Sequence, residues 1–303
     1  MISQPLVSIV IPTHRPEHLR NAVLCALAQT YRNIEIIVSD NSTATEIRDF
    51  CAAYPGIIYR KNTDGKPASN IAQGLTLARG EFIKYLFDDD LIYPHCIESM
   101  LGWLAQFSPE NQAAIGLITS ARHLINDSGI CYDEIREADI QACSMVQGST
   151  VVQKILSTLY NFVGEFSTVM FRRSLIDTTD PLSIFSAYGE SFTLGLVDVP
   201  LYLALLQKSN LLYIPHSLSA FRKHSEGGSN VAFNPGFHMV VSDWLRLIRA
   251  AYRAGDLDRA SAIAGARVQM VMNDHFKATF PEPMSITQQE AQSFLQELES
   301  TTQ

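Results

Sequence analysis

The sequence predicts an α/β protein on a mostly parallel sheet, followed by a helical carboxy-terminal region. Short β-branched runs alternate with segments of helical spacing up to residue 90. Polar clusters close three of those runs, at the strand ends where parallel sheets place their ligands. From His238 onward the apolar spacing is helical, with a break at Gly255-Asp256 and a stop at Pro281/Pro283 before a last amphipathic segment.

Leu6 to Ile11 is a short apolar run ended by Pro12, the signature of a buried strand. Leu19, Ala22, Val23, Ala26 and Leu27 then fall at helical spacing, with Pro16 suited to the first turn. A second strand is expected at Ile34 to Val38, a helix at Thr45 to Ala53 and a third strand at Ile57 to Tyr59. Pro67 opens a helix that Gly80 stops, and Phe82 to Phe87 forms a strand running into Asp88-Asp89-Asp90. The second half is less regular. It predicts a strand at Ile115 to Ile125, a turn at Asn126 to Gly129 and a helix at Val151 to Tyr160. Ser167 to Phe171 reads as extended and Val199 to Leu206 as helical. Two short strands, Leu211 to Ile214 and Leu218 to Phe221, flank Pro215-His216.

Composition narrows the class. Of 303 residues, 47% are hydrophobic and 18% charged, which supports a full core and excludes disorder. With 23 basic and 31 acidic side chains the net charge is −8, against a nucleic-acid partner. The segment Met1 to Pro5 lacks the basic and apolar regions of a secretion signal. The five cysteines have neither CxxC pairing nor metal spacing, so a reducing, cytoplasmic setting is expected. Cys25 and Cys51 fall in helical patterns and read as small buried hydrophobes.

Asp88, Asp89 and Asp90 are the most informative residues. Three adjacent carboxylates repel unless a cation or strong donors offset them. A hard divalent ion bridging substrate phosphates is one answer, because it needs only one or two protein carboxylates. A solvated turn capping the helix near Pro94 is the structural alternative. Asp40, at another strand end, is the type of carboxylate that accepts from a base or ribose, or else a turn residue. Pro12-Thr13-His14-Arg15-Pro16 stands where a dinucleotide fingerprint would place its glycines, and no P-loop occurs anywhere.

Several blocks together resemble family 2 glycosyltransferases of GT-A fold. They are Val7 to Thr13, Asn21, Gln29-Thr30-Tyr31, Glu35 to Ser42, Asn62, Asn70, Ala78 to Ile83, and Asp88 to Asp90 followed by Pro94. The strong part covers about the first hundred residues. The resemblance implies a GT-A fold, a Rossmann-like and mostly parallel sheet. It places a catalytic domain at 1–235, with a nucleotide-binding half at 1–100 and an acceptor half at 101–235, before a helical region at 236–303.

The implied activity is inverting, metal-assisted transfer of a hexosyl or deoxyhexosyl group. The group moves from a nucleoside-diphosphate sugar to a hydroxyl of a carbohydrate or lipid-linked acceptor, in polysaccharide or glycoconjugate assembly. By the same resemblance Pro12, Thr13, Asp40, Asn41, Asn70 and Asp88 lie against the nucleotide. Phe87 stands where the commonest form of the motif has its first aspartate. Asp89 is then the metal ligand for Mn²⁺ or Mg²⁺, Asp90 faces donor sugar or acceptor, and Asp88 takes over part of the missing role. Asp198, preceding an apolar helix, matches the general base, with Glu190 as runner-up; the structural alternative is that Asp198 only caps that helix, with Pro200 in its first turn. The segment Phe221 to Ser229 resembles a terminal phosphate-binding loop: Arg222 and Lys223 for the diphosphate, His224 for the metal or a phosphate. Glu165 is the candidate contact to an acceptor hydroxyl, with a structural role as its alternative.

Arg246, Arg249 and Arg253 share one helical face, and the apolar face continues through Ile263, Val268 and Val271. Packing of these helices on the protein itself is expected; the alternatives are peripheral contact with the inner face of a membrane and a homodimer. Two rival functions differ in class. A sugar-nucleotide-binding module without turnover would follow from Phe87 and from Val197, which replaces an acidic neighbour of the base. A sugar-nucleotide nucleotidyltransferase would need a glycine-rich basic loop that Thr13 to Pro16 does not provide.

Overall fold

The computed structural model describes residues 4–224, 231 and 234–300. The first elements are β1 (Val7–Thr13), α1 (Pro16–Leu27), β2 (Ile34–Asp40), α2 (Glu46–Ala52), β3 (Ile57–Lys61), α3 (Pro67–Gln73) and β4 (Phe82–Tyr85). Next come β5 (Leu91–Ile92), α4 (Cys96–Leu104), α5 (Pro109–Ala114), β6 (Ile115–Ile125), β7 (Cys131–Ile135), β8 (Ser144–Val146) and α6 (Gly148–Thr158). The rest are β9 (Met170–Arg172), β10 (Ser186–Ala187), β11 (Glu190–Ser191), α7 (Val199–Leu206), β12 (Asn210–Arg222), α8 (Phe237–Arg253), α9 (Arg259–Phe276) and α10 (Pro281–Ser300).

The chain forms two compact units. One comprises Met1–Val146, Val163–Ile184 and Ser209–His224; the other comprises Gln147–Phe162, Phe185–Lys208 and Ser225–Gln303. The second unit thus combines two internal segments, 147–162 and 185–208, with the carboxy-terminal region.

The first unit is built on one mixed sheet in the order β3-β2-β1-β4-β9-β6-β12-β5, with β7 beside β6 and β8 beside β12. The block β3-β2-β1-β4 is parallel, as its three consecutive βαβ crossovers require. β9 enters antiparallel between β4 and β6. All seven residues of β1 are buried, and each fully buried Val or Ile side chain contributes roughly 1.5–3 kcal/mol. The amphipathic face of α1, with Leu19, Ala22, Val23 and Ala26, packs into the same core. Cys51 is buried there as well, and Cys25 packs against its edge half-buried.

Two expectations about extended segments needed correction. Pro215 does not divide two strands, because β12 runs unbroken past it and the ladder to β6 shifts register between Ile214 and Ser217. A bulge is where a strand tolerates a residue without an N–H donor. Ser167 to Phe171 is not extended throughout: Phe166–Thr168 is a 3₁₀ turn leading into β9. That turn brings the Ser167 side chain to the Phe87 amide and its carbonyl to the buried Lys84 ammonium.

At the amino ends of β1 and β4 a buried carboxylate clasps the sheet. Glu35 Oε1 accepts from Ser8 Oγ and from the Arg79 amide, both at 2.6 Å, and Oε2 accepts from the Arg79 guanidinium at 2.8 Å. Burial pushes this carboxyl up, but the donors outweigh it and hold it below the usual range. A lowered folded-state value means that the stabilisation is complete above the unfolded value of about 4.3 and is lost as pH falls through the folded one. Glu35→Gln is therefore expected to flatten the fall in thermal midpoint below about pH 4.5. Parallel melting curves for variant and wild type down to pH 3 would count against this role.

In the second unit, β10 and β11 form a two-stranded ribbon and α6 to α10 supply the helices. Arg246 pairs with Glu190 at 2.8 Å and Asp243 at 2.7 Å, and lies 4.5 Å from the Phe192 ring centroid. Its charge is thus satisfied inside this unit. The apolar face does not continue to Val271, which is 70% exposed. α9 instead turns Ala262, Gly265, Ala266, Gln269 and Asn273 inward, a narrow face that allows close packing on α6 and α8. Among the described residues no helix is long and apolar enough to cross a membrane.

Candidate functional site

Parallel pairing sets Thr13, at the end of β1, against Asp40, at the end of β2, and Asp40 against Lys61, at the end of β3. β4 lies on the other side of β1, so the segment Phe87 to Asp90 emerges beside Thr13. The site is the consequence of that strand order.

Asp40 is fully buried. Its Oδ1 accepts from the Ser42 amide at 2.7 Å, and its Oδ2 accepts from Tyr59 Oη at 2.7 Å and Lys61 Nζ at 3.0 Å. Burial pushes the carboxyl up, yet the bonds from Ser42, Tyr59 and Lys61 prevail and keep it ionised below the ordinary range. The price of that bond falls on Tyr59, whose phenol is driven upward by burial and by Asp40. Asn70 is also buried; its Nδ2 donates to the Thr13 carbonyl at 3.0 Å and its Oδ1 accepts from Ser39 Oγ at 2.9 Å. The Asn41 amide also donates to the Thr13 carbonyl, and its side chain donates to the Gly65 carbonyl at 3.1 Å. Pro12 is a buried part of β1.

Thr13 connects this group to the carboxylates, because its Oγ1 donates to Asp88 Oδ2 at 2.8 Å. Asp89 Oδ2 receives two groups: Arg15 Nη2 at 2.8 Å and His224 Nε2 at 3.0 Å. Arg15 Nη2 also reaches Asp88 Oδ1 at 3.4 Å. Asp90 is 2% exposed and accepts from the Arg222 amide at 2.9 Å. Burial and then the charge of Asp89 push its carboxyl well up, with Ser167 and the Arg222 amide pulling the other way. Phe87, which precedes the carboxylate run, stacks on Phe166 with ring centroids 5.4 Å apart.

Arg222, expected at a diphosphate, directs its guanidinium to the backbone carbonyls of Asp89, Asn126 and Asp127 at 2.8, 2.7 and 3.1 Å. It therefore ties the carboxylate loop to the end of β12. Lys223 is exposed, and its amide donates to the Ile125 carbonyl at 2.9 Å. Residues 225–230 of the terminal loop lie outside the described residues. Glu165 faces Arg122, with a nearest N–O distance of 2.5 Å. Asp198 and Glu190 belong to the second unit. There Asp198 caps α7 through the Val199 amide at 2.9 Å and accepts from Asn161 Nδ2 at 2.9 Å, while Glu190 holds Arg246.

Among the described residues no three His, Cys, Asp or Glu side chains converge as a complete metal cage. The pair Asp89 and His224 still suits a hard divalent ion. Mg²⁺-type sites take one or two protein ligands and complete their shell with water and substrate phosphate.

Sequence reasoning overlooked Arg15, Lys61 and His18. Lys61 lay beyond the expected end of β3, and only the β2–β3 register puts it on Asp40. Arg15 was visible in the Thr13 to Pro16 segment, but its partners lie more than seventy positions away. His18, in the first turn of α1, lies near His224 with ring centroids 5.9 Å apart. No sequence spacing signals that contact.

Residues 8–120 match the family model described as Glycosyl transferase family 2. An uncharacterized glycosyltransferase of Rickettsia typhi is 37% identical over 102 residues, covering 33% of this chain and 32% of that protein. A second, from Rickettsia prowazekii, is 36% identical over 105 residues, covering 34% and 33%. The matched segment thus spans about a third of these relatives. In three dimensions the chain is similar to S. aureus TarS 1-349 in complex with UDP-GlcNAc. The TM-score is 0.60 at 17% identity, covering 89% of this chain and 72% of that one. At that identity the likeness speaks for the fold, which is of the GT-A type.

Proposed function

We propose that this chain, which carries a glycosyl transferase family 2 region at residues 8–120, moves a sugar from a nucleoside-diphosphate donor to an acceptor hydroxyl with inversion. The observation that supports this most is the meeting of Thr13, Asp88 and Asp89 beside the buried pair Asp40 and Asn70. In this reading Asp40, Asn41 and Asn70 shape the nucleoside pocket, with Pro12, Thr13 and Asp88 next to the ribose and diphosphate. Asp89 and His224 would hold Mn²⁺ or Mg²⁺, whose charge would offset that of the diphosphate leaving group. Asp90 faces the donor sugar or acceptor, and Glu165 sits on the acceptor side. Lys223 adds positive charge at the diphosphate, and Arg222 holds the loop that presents Asp89.

An inverting displacement needs a base on the face opposite the leaving group. Asp198, oriented by the Val199 amide and by Asn161, takes the hydroxyl proton in this reading. The acceptor is a carbohydrate or a lipid-linked saccharide in cytoplasmic polysaccharide or glycoconjugate assembly.

The test is nucleoside diphosphate release from a panel of sugar nucleotides, with Mn²⁺, Mg²⁺ or EDTA present. UDP donors come first, because TarS 1-349 was solved in complex with UDP-GlcNAc. Release from one donor, abolished by EDTA, is the expected result. No release from any donor, together with no calorimetric binding of UDP, dTDP or GDP, would refute the reading.

A further inference from the structure

Three consecutive carboxylates need a counter-charge even before any ligand arrives. The side chains of Asp88 and Asp89 are 6% and 18% exposed, so water screens them poorly. The cation that meets both is Arg15, itself only 15% exposed. Two carboxylates raise its already high pKa, against the opposing pull of burial.

The manner of that contact is unusual for arginine. Both ion pairs run through one nitrogen, Nη2, and the one to Asp88 is long at 3.4 Å. Among the described residues the buried Nε has no hydrogen-bond partner. A guanidinium is a planar fork suited to paired oxygens of a carboxylate or phosphate. Here it acts as a point charge and leaves its Nε edge unmatched. A buried donor without an acceptor is unfavourable, so this arrangement improves when an anionic oxygen pair reaches that edge. Thr13 places Arg15 suitably, since its carbonyl accepts from Asn70 and its Oγ1 donates to Asp88, two residues before the arginine.

We propose that Arg15 is a diphosphate-binding residue that doubles as the resident counter-cation of Asp88 and Asp89. This rests on the transferase reading. Without ligand the guanidinium suppresses repulsion within the carboxylate run. With donor bound it presents its fork to the diphosphate and frees Asp89.

The two roles make opposite predictions for one substitution. By calorimetry in EDTA, Arg15→Gln weakens binding of inorganic pyrophosphate at least tenfold. Titrated with Mn²⁺ alone, the same variant binds about tenfold tighter, because Asp89 has lost its competitor. Arg15→Lys retains charge without the fork; it binds pyrophosphate about threefold more weakly than wild type and serves if the glutamine variant does not fold. Pyrophosphate and Mn²⁺ affinities of both variants within twofold of wild type, in protein that still releases nucleoside diphosphate from its donor, would overturn the assignment of Arg15 alone. Wild-type protein that binds neither pyrophosphate nor any nucleoside diphosphate would overturn the transferase reading as well.

Discussion

Asp89→Asn is expected to lower donor turnover about a hundredfold or more while the protein keeps its fold. The amide has the shape of the carboxylate and lacks its charge. Asp89 Oδ2 is the atom on which Arg15 and His224 converge, so it is the centre of the charged cluster. A divalent ion at a departing diphosphate supplies several kcal/mol of transition-state stabilisation, and each 1.4 kcal/mol is about a factor of ten. An asparagine cannot hold a hard cation beside a single histidine at comparable strength. Removing a carboxylate charge beside Asp88 and Asp90 also relieves repulsion, which offsets the lost pairing to Arg15 and His224, so the thermal midpoint should change little. Rates at saturating Mn²⁺ with matched melting curves decide the matter. Turnover within threefold of wild type would remove Asp89 from the metal role.

Gly80→Ala is expected to cost about 3 kcal/mol of stability, at the upper end of overpacking penalties. A Cβ at this position would stand 2.6 Å from the Ser8 amide nitrogen, 2.7 Å from Ser8 Oγ and 2.8 Å from the Leu6 carbonyl oxygen. Two of those atoms are backbone and cannot swing aside. They belong to the start of β1 and its approach, which β2 and β4 flank. Relief therefore requires β1 to move, together with the Ser8 hydroxyl that bridges Gly80 and Glu35. The thermal midpoint should fall by about 5 °C or more. Gly56 is the matched control, since nothing lies within 4 Å of a Cβ there. Equal effects of alanine at the two positions would show that Gly80 matters for chain flexibility and not for close approach.

The alternation of β-branched runs with helical spacing determined β1 to β4 and their helices, because each burial pattern is local and repeats within a few residues. The same local logic located Asp40 and Asp88 to Asp90 at strand ends. α7 was legible for a similar reason: Asp198 caps it, Pro200 fits its first turn and an apolar run follows. Where a partner lay far along the chain, local pattern carried no information. The pairing of Lys61 with Asp40 depends on sheet register, and the 3₁₀ turn at Phe166–Thr168 depends on Lys84 and Phe87 reaching it. Arg222 shows the limit from the other side. The family resemblance of its segment implied a phosphate ligand, while the fold surrounds its guanidinium with three carbonyls that need donors. Sequence by itself thus determined which chemistry sits at which strand end. Only the tertiary structure decided which charges face one another, because Coulomb and hydrogen-bond energies act over ångströms of space and are indifferent to separation along the chain.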